Sequence, residues 1–476
     1  MVSTTKEESF RSMVRVRFAP SPTGFMHIGN LRTAIFNWLF ARHNNGQFLI
    51  RIEDTDAARS KPEYIEDIFH SLSWVGISSD EPVMTQSDFR KTHQDMAHEL
   101  VKEGKAYKCY CTPDELTARL SKTVEGYIQY DRHCEGKSNA DKPYVIRFKV
   151  PDDLVQVTFE DLIRGPITFK REQLDDFIIV RSDGLPVYNF VAVIDDAHMR
   201  ITHIIRGEDH ISNTPKQILL YHALTLPLPA FAHLPMILAS DGSRLSKRDA
   251  ATGVNEYRKA GYLADALFNY LVRLGWSHGD QELFTREELV RYFTLKEVGR
   301  KSAIFDIQKL DWMNGMYIRQ LSPTVLLAAI NELDPSFIKE CHEYESKLER
   351  IIACYQDRST TLIDLAKQVR ELIVGPTEVQ LSRLNMYPKT VTAYFDAFSD
   401  QCTHKELSPE EAKEIVTRVC KKFSIRLPDF AKPFRVAITG KEHSPGIFEL
   451  ISICGCDEIR KRLANATAVI KSKEIE

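Results

Sequence analysis

Residues 14–56 constrain the fold more tightly than any other part of this 476-residue chain. Val14-Arg15-Val16-Arg17-Phe18 alternates apolar and polar side chains, the period of a strand, and runs into Ala19-Pro20-Ser21-Pro22-Thr23-Gly24, whose prolines and glycine demand a loop. From Leu31 the period changes, because Leu31, Ala34, Ile35, Trp38 and Leu39 fall on one helical face, and Asn44-Asn45-Gly46 stop that helix. Phe48-Leu49-Ile50-Arg51-Ile52 is a second strand that ends at Glu53-Asp54-Thr55-Asp56. Two strands joined through a helix pair in parallel. A doubly wound α/β sheet is therefore expected, with ligands at the carboxyl ends of its strands.

The rhythm then changes. Between about Tyr107 and Ile205 the sequence predicts strands joined by tight turns: Tyr144-Val145-Ile146-Arg147-Phe148 and Val155-Gln156-Val157-Thr158-Phe159 alternate, and Ser182-Asp183-Gly184 sits between two apolar runs as a hairpin turn would. This reads as an α+β insertion. Parallel organisation resumes near Ile204-Ile205-Arg206, followed by a helix for which Thr214, Pro215 and Gln217 are expected as cap, first residue and capping-box partner. Beyond Asn255 helices dominate. Leu263, Ala266, Leu267, Tyr270, Leu271 and Leu274 form one apolar face closed by Gly275, and Ser408-Pro409-Glu410-Glu411 opens a helix through Ile415, Val416 and Val419. A chain this long needs three or more cores. The expected division is 13–106, 107–205, 206–254, 255–320 and 321–476.

Lys and Arg number 63 against 66 Asp and Glu, a net charge of −3, so any nucleic-acid contact must use local basic patches. Nine cysteines without an export signal suit a reducing compartment better than a disulfide framework. No apolar run reaches the roughly 18 residues that span a membrane. The first dozen residues carry Glu7 and Glu8 and lack an apolar stretch, which argues against a targeting signal and for a cytoplasmic protein without membrane contact.

Chemistry concentrates in Pro20-Ser21-Pro22-Thr23-Gly24-Phe25-Met26-His27-Ile28-Gly29-Asn30, between the first strand and its helix. A helix start offers free N–H groups and partial positive charge to phosphates, and Gly24 and Gly29 carry no side chain that would hold a nucleotide away. His27 can donate to a phosphate as charge develops. A lone histidine here would more often cap or pack. A second cluster, Ser243-Arg244-Leu245-Ser246-Lys247-Arg248, lies about two hundred residues on, and by itself it would pass as a solvated loop.

Taken together, the two segments resemble the signatures of the class I aminoacyl-tRNA synthetases, whose usual forms are His-Ile-Gly-His and Lys-Met-Ser-Lys-Ser. Arg17-Phe18-Ala19-Pro20-Ser21-Pro22-Thr23-Gly24 resembles the glutamyl branch, and Asn30 departs from the second histidine of the first signature. The resemblance implies an α/β fold with a Rossmann-type nucleotide-binding domain split by an α+β acceptor-binding insertion, then all-helical anticodon-binding domains. It implies attack of the glutamate carboxylate on the α-phosphate of ATP, with Mg²⁺ carried by the nucleotide and no protein nucleophile. His27, Asn30, Lys247 and Arg244 would then be catalytic, Lys247 aligning with the second lysine of the loop motif and Arg244 with the first. His27, Gly29, Asn30, Glu208 and Lys247 would bind ATP. Arg17, Ala19, Ser21, Glu53, Tyr188 and Arg206 would line the glutamate site, with Glu53 towards the ammonium group. A guanidinium fork fits a carboxylate through two hydrogen bonds, which suits Arg17 and Arg206 at strand ends.

Cys109-Tyr110-Cys111 and Tyr130-Asp131-Arg132-His133-Cys134 form a third cluster. Thiolates are good zinc ligands, and the resemblance extends to a cysteine-based structural Zn²⁺ in many bacterial members. The fourth ligand is open between Tyr130 and His133, Tyr130 having the spacing shared by relatives, and three unliganded thiols are the alternative. The insertion is expected to hold the acceptor end of tRNA-Glu, and the helical end its anticodon, with Arg358, Arg370, Lys421 and Lys422 among the cations there. Charging of tRNA-Gln as well stays open, and a monomer is expected. A shorter paralogue that modifies queuosine in tRNA-Asp would lack the last 150 or so residues, and an inactive tRNA-binding regulator would have no need of His27, Lys247 and Arg17.

Overall fold

The computed structural model describes residues 13–56, 59–119, 121–122, 128–139, 142–243, 253–402 and 404–472. The chain forms two compact units, Met1–Tyr257 with Leu267–Ile307, and Arg258–Ala266 with Gln308–Glu476.

In the first unit, strand β1 (Arg15–Phe18), helix α1 (Ile28–His43) and strand β2 (Gln47–Ile52) make the expected crossover, with β1 and β2 parallel and Phe18 opposite Ile50. β3 (Met84–Thr85) adds to the far side of β2, also parallel. The polar positions of β1 do not face water. The whole strand is buried, because a parallel sheet is covered on both faces. Its arginines are consequently paired, Arg15 with Glu81 at 2.7 Å and Arg17 with Asp196 at 2.9 Å. Helix α1 begins at Ile28, a turn before the first periodic residue, and buries Leu31, Ala34, Ile35 and Leu39.

From residue 106 to 180 the main strands are β4 (Ala106–Cys109), β5 (Val145–Phe148), β6 (Gln156–Asp161), β7 (Gly165–Lys170) and β8 (Ile178–Val180). β5 lies antiparallel between β8 and β4, whereas β6 and β7 form an antiparallel pair. The turn at 182–184 is present: Gly184 takes φ +78°, Arg181 N–H donates to the Leu185 carbonyl at 2.9 Å, and Val180 bridges Pro186. The apolar run after this turn is not a second hairpin strand, however. It is helix α2 (Tyr188–His198), which buries Phe190 through Asp196 without a break. An apolar run buried on every side carries no strand-or-helix period, so packing overrides the β preference of its valines and isoleucine.

Strand β9 (His203–Gly207) starts beside β1, where Thr202 N–H donates to the Arg15 carbonyl at 2.9 Å. Helix α3 (Thr214–Ala223) leads to β10 (Ala230–Leu234), parallel to β9 and bridged on its other side to β6 through Phe231 and Asp161. The start of α3 differs from expectation. A 3₁₀ turn over Glu208–Asn213 runs straight into it, so Thr214 is the first helical residue and no side chain caps the helix. With the backbone already satisfied by that turn, the Thr214 hydroxyl serves Arg206 instead, and Gln217 reaches Asn189 at 3.2 Å. The core below joins Phe148, Phe190, Ile204, Leu220 and Phe231.

The second unit is helical, with no strand among its described residues. Its main core gathers Leu326, Ile352, Leu365, Val369, Val416, Val419, Phe430, Phe434 and Leu463. Ser408 and Glu411 make the expected capping box, at 3.1 Å and 2.7 Å, on the helix Pro409–Phe423.

Candidate active site and thiol cluster

His27 is the N-cap of α1, and its ring accepts from two orphan amides of the first turn: Nδ1 lies 3.1 Å from Gly29 N and 3.4 Å from Asn30 N. An accepting Nδ1 puts the proton of the neutral ring on Nε2. Burial lowers the pKa of His27, against the pull of Asp209, which favours that neutral form. The capping role and a donor role are thus compatible on one side chain. A Cβ on Gly29 would lie 3.1 Å from the imidazole, whereas one on Gly24 would meet nothing within 4 Å. Gly29 lets the ring fold over the helix start, and the space around Gly24 is open. Gly253 bridges back to His27, and Val254 N–H donates to the Met26 carbonyl at 2.8 Å. Arg244 and Lys247 lie outside the described residues.

Arg17, at the end of β1, is clamped by Asp196 of α2: Nε and Nη2 sit 2.9 and 3.3 Å from its two oxygens. Asp196 also takes Arg51 Nη1 at 2.5 Å, and Arg51 reaches Glu53 at 3.0 Å. Four charged side chains, from β1, α2, β2 and the residue that follows β2, therefore form one buried chain. Burial pushes the Asp196 carboxyl up, but Arg17 and Arg51 outweigh it and hold the pKa below the usual range. For Glu53 burial wins over Arg51, and its pKa is raised. Pro20 receives the Glu53 N–H at 3.0 Å, which ties the loop containing Ala19 and Ser21 to the end of β2. Ala19 is half-buried and Ser21 is exposed.

Arg206, in β9, is equally buried but differently held. Its Nε donates to His233 Nε2 at 3.2 Å and its Nη2 to the Thr214 hydroxyl at 2.8 Å, while Nη1 is buried with no hydrogen-bond partner. No carboxylate among the described residues forms an ion pair with it, and burial lowers its pKa. Tyr188, the first residue of α2, feels burial and the Glu53 charge, which raise its pKa, against Arg206 and Arg17. These groups are within mutual electrostatic reach. The Tyr188 hydroxyl lies 3.2 Å from His210 Nδ1, and burial with Arg206 brings His210 down to about 4. Glu208 is committed to the scaffold: it pairs with Arg164 and accepts the Met236 N–H at 2.7 Å.

The sequence reading missed Asp196, Arg51, Thr214, His233 and Asp161. A signal was available for two of them. Asp195-Asp196 interrupts the apolar run of α2 and Arg51 interrupts β2, and charges inside buried elements require partners.

Cys109, Cys111 and Cys134 do come together, their sulfurs all within 4.8 Å of one another. Cys111 and Cys134 Sγ are 3.3 Å apart, and the Tyr130 hydroxyl lies 3.3 Å from Cys109 Sγ and 3.4 Å from Cys111 Sγ. His133 faces Lys137 at 2.9 Å rather than the thiols. Ligands about 2.3 Å from a tetrahedral zinc stand about 3.8 Å apart, so thiols that all lie within 4.8 Å of one another are close to the spacing a zinc site needs. Burial opposes a Cys134 thiolate, but hydrogen bonds from Tyr130 and the Tyr110 N–H prevail and lower its pKa, whereas burial raises Cys111 to about 11. In the helical unit, Arg370 is engaged by Asp334 at 2.5 Å and Glu340 at 2.8 Å.

Among the described residues, no helix is long and apolar enough to cross a membrane. Residues 13–312 match the family model "tRNA synthetases class I (E and Q), catalytic domain", and 329–467 match "Anticodon binding domain". The chain is 46% identical to a glutamate–tRNA ligase of Thermodesulfovibrio yellowstonii over 95% of its own length and 98% of that protein's, and 43% identical to one of Aquifex aeolicus over the same shares. The crystal structure of a glutamate tRNA ligase from Elizabethkingia meningosepticum in complex with its amino acid superposes with a TM-score of 0.84 at 30% identity, covering 96% of this chain and all of that one. With a catalytic and an anticodon module matched and near-complete alignment to these enzymes, the chain belongs to the class I tRNA synthetases and, within them, to the glutamate–tRNA ligases.

Proposed function

We propose that the chain joins L-glutamate to ATP, releases pyrophosphate, and transfers the glutamyl group to the 3′ end of tRNA-Glu. The observation that carries this assignment is the pair of buried arginines on β1 and β9, where Arg17 is preset by Asp196 and Arg206 keeps an unpartnered buried Nη1. A dicarboxylic amino acid supplies what such a site lacks. Glu53 and Tyr188 would take the ammonium end, with Ala19 and Ser21 on the loop wall. His27 Nε2–H lies at the helix start, where phosphate binds, while its Nδ1 holds the amides of Gly29 and Asn30. Mg²⁺ on the nucleotide would neutralise the phosphates, and Arg244 and Lys247 would supply cations to the leaving pyrophosphate. Catalysis is then positioning plus charge stabilisation. Glu208, held by Arg164 and the Met236 N–H, would act in ATP binding mainly by ordering the 208–236 wall.

The chain would divide its work among five segments: a catalytic domain in halves (13–106 and 206–254), an acceptor-binding insertion (107–205), a stem-contact domain (255–320) and anticodon-binding domains (321–476). Zinc held by Cys109, Cys111, Cys134 and Tyr130 would brace the insertion. Tyr130 is preferred to His133 because its hydroxyl already touches two of the thiols. We assign the enzyme to the cytoplasm as a monomer, with tRNA-Gln as a second substrate to be tested. ATP–pyrophosphate exchange with and without tRNA, followed by charging of purified tRNA-Glu and tRNA-Gln side by side, decides the assignment. Exchange with no amino acid, or with one other than glutamate, would overturn it.

A further inference from the structure

Arg206 is oriented by a device that the activity alone does not require. Asp161, at the end of β6, accepts both the backbone N–H of His233 at 3.1 Å and its ring Nδ1–H at 2.6 Å. It also takes the amides of Ile163 and Arg164 at 3.0 and 2.9 Å, so its carboxylate is fixed from four directions. Donation from Nδ1 leaves the other ring nitrogen as an acceptor, and His233 Nε2 faces Arg206 Nε at 3.2 Å and the Thr214 hydroxyl at 3.1 Å. The imidazole is wholly buried and packs near the rings of Phe159 and Phe231, with centroids 6.3 and 6.4 Å away. A histidine beside a buried arginine would repel it if protonated. Here the neutral tautomer instead offers the guanidinium a lone pair. That anchors Nε, as Thr214 anchors Nη2, and only Nη1 is left without a partner.

We propose that His233, with its tautomer set by Asp161, is a positioning residue that aims the free edge of Arg206 at a carboxylate of the amino acid substrate. The inference rests on the assignment of Arg206 to the glutamate site, and the two are separable by experiment. His233 touches no reacting atom. Its effect should reach the reaction only through Arg206, hence through amino-acid binding rather than through ATP.

The two amide variants divide the ring's functions. In His233→Gln the side-chain oxygen reaches the place of Nε2 and can accept from Arg206; in His233→Asn the amide reaches only the place of Nδ1 and can serve Asp161 alone. Steady-state ATP–pyrophosphate exchange on both full-length variants should show the glutamate KM of His233→Asn raised about ten-fold or more, the size expected for a lost hydrogen bond to a charged group. Its KM for ATP should move less than about two-fold, and His233→Gln should stay close to wild type for both substrates. A purely structural role predicts the reverse order, since Asn preserves the tie to Asp161. Equal glutamate KM values in the two variants, or a worse one in His233→Gln, would overturn the proposal. If neither variant folds, ¹⁵N-histidine spectra of the wild-type enzyme decide it. The resonances of His233 should be those of a neutral Nδ1–H ring at pH 7, with Nε2 shifting on addition of glutamate; an Nε2–H or doubly protonated ring sinks the idea. Arg206→Gln is the control for the underlying assignment. An unchanged glutamate KM in that variant removes Arg206 from the site whatever His233 does.

Discussion

Arg17 and Asp196 meet as a two-pronged pair, Nε to Oδ1 at 2.9 Å and Nη2 to Oδ2 at 3.3 Å, with both side chains more than nine-tenths buried. Because Arg51 shares the same carboxylate at 2.5 Å, Asp196 compensates two buried cations. Removing one partner of a buried pair leaves the other charge stranded, at a cost of about 3–5 kcal/mol. Asp196→Asn should therefore lower the unfolding free energy of the catalytic unit by about that amount, read from urea titration at pH 7. A loss under about 1 kcal/mol would mean that water or Glu53 already balances the arginines.

Acid should weaken the same unit in two stages. His233 and His210 are held neutral, burial lowering both pKa values, to about 4 for His210. The unfolded histidines take up protons below about pH 6.5 and the folded ones do not. Stability is thus full above that pH and falls as pH drops, by up to about 1.4 kcal/mol per pH unit for each histidine until its folded pKa is reached. His210 is partly exposed and should contribute less than this. Asp196 adds the second stage, because its depressed pKa gives stability that is present above the unfolded carboxyl value and is lost as pH falls through the folded one. Urea titrations at pH 7 and pH 5 should show a smaller loss in His233→Gln than in wild type. Equal slopes would mean that His233 is protonated in the fold.

Lys247→Ala should leave thermal unfolding near wild type and cut adenylate formation sharply. Removing a single lysine charge usually costs little stability, whereas one contact to developing charge is typically worth about 2.7–4 kcal/mol. Pyrophosphate exchange on the folded variant is the check. Activity close to wild type would remove Lys247 from the reaction.

Zinc, measured on enzyme purified without chelator, should be close to one ion per chain and should fall in Cys109→Ser and Cys134→Ser. Tyr130→Phe tests the fourth position. It should weaken retention under chelator, because its hydroxyl contacts the sulfurs of Cys109 and Cys111. Fully active, metal-free wild type would leave these thiols as core residues.

The crossover from β1 to β2 was legible because its periods change cleanly, and the cap at Ser408 was legible because capping chemistry is local. His27 was singled out by the signature segment around it, and its place as the N-cap of α1 agrees with the helix start read there. What escaped was set by distant contacts. Thr214 has the residues of a cap, but a 3₁₀ turn takes over the backbone and its hydroxyl turns to Arg206, eight positions away. The run Phe190–Asp196 has no period to read, so nothing local distinguishes helix from strand. Asp161 and His233 are 72 residues apart and meet only because β10 lies beside β6.

The discrimination of glutamate from glutamine should depend chiefly on Arg17. The two amino acids share an α-carboxylate and nearly the same shape, so an arginine that reads the α-carboxylate favours both alike, and only one that reads the side chain separates them. Clamping by Asp196 fixes the Arg17 guanidinium in place before substrate arrives, and Arg51 takes up part of that carboxylate's charge. A neutral amide presents an NH₂ group where the guanidinium requires an acceptor. Sites that leave a buried polar group unpaired reject the wrong ligand by factors on the order of 10⁴ in favourable cases. Arg17→Leu should lose most glutamate activation, and its glutamate-to-glutamine ratio of kcat/KM should collapse while affinity for ATP changes little. Asp196 stays paired with Arg51 in that variant, so the fold should survive the change. Steady-state charging of tRNA-Glu with each amino acid, by wild type, Arg17→Leu and Arg206→Gln, assigns the two arginines. If Arg17→Leu keeps its preference and Arg206→Gln loses it, the side-chain carboxylate is read at β9, by the guanidinium whose Nη1 has no other partner.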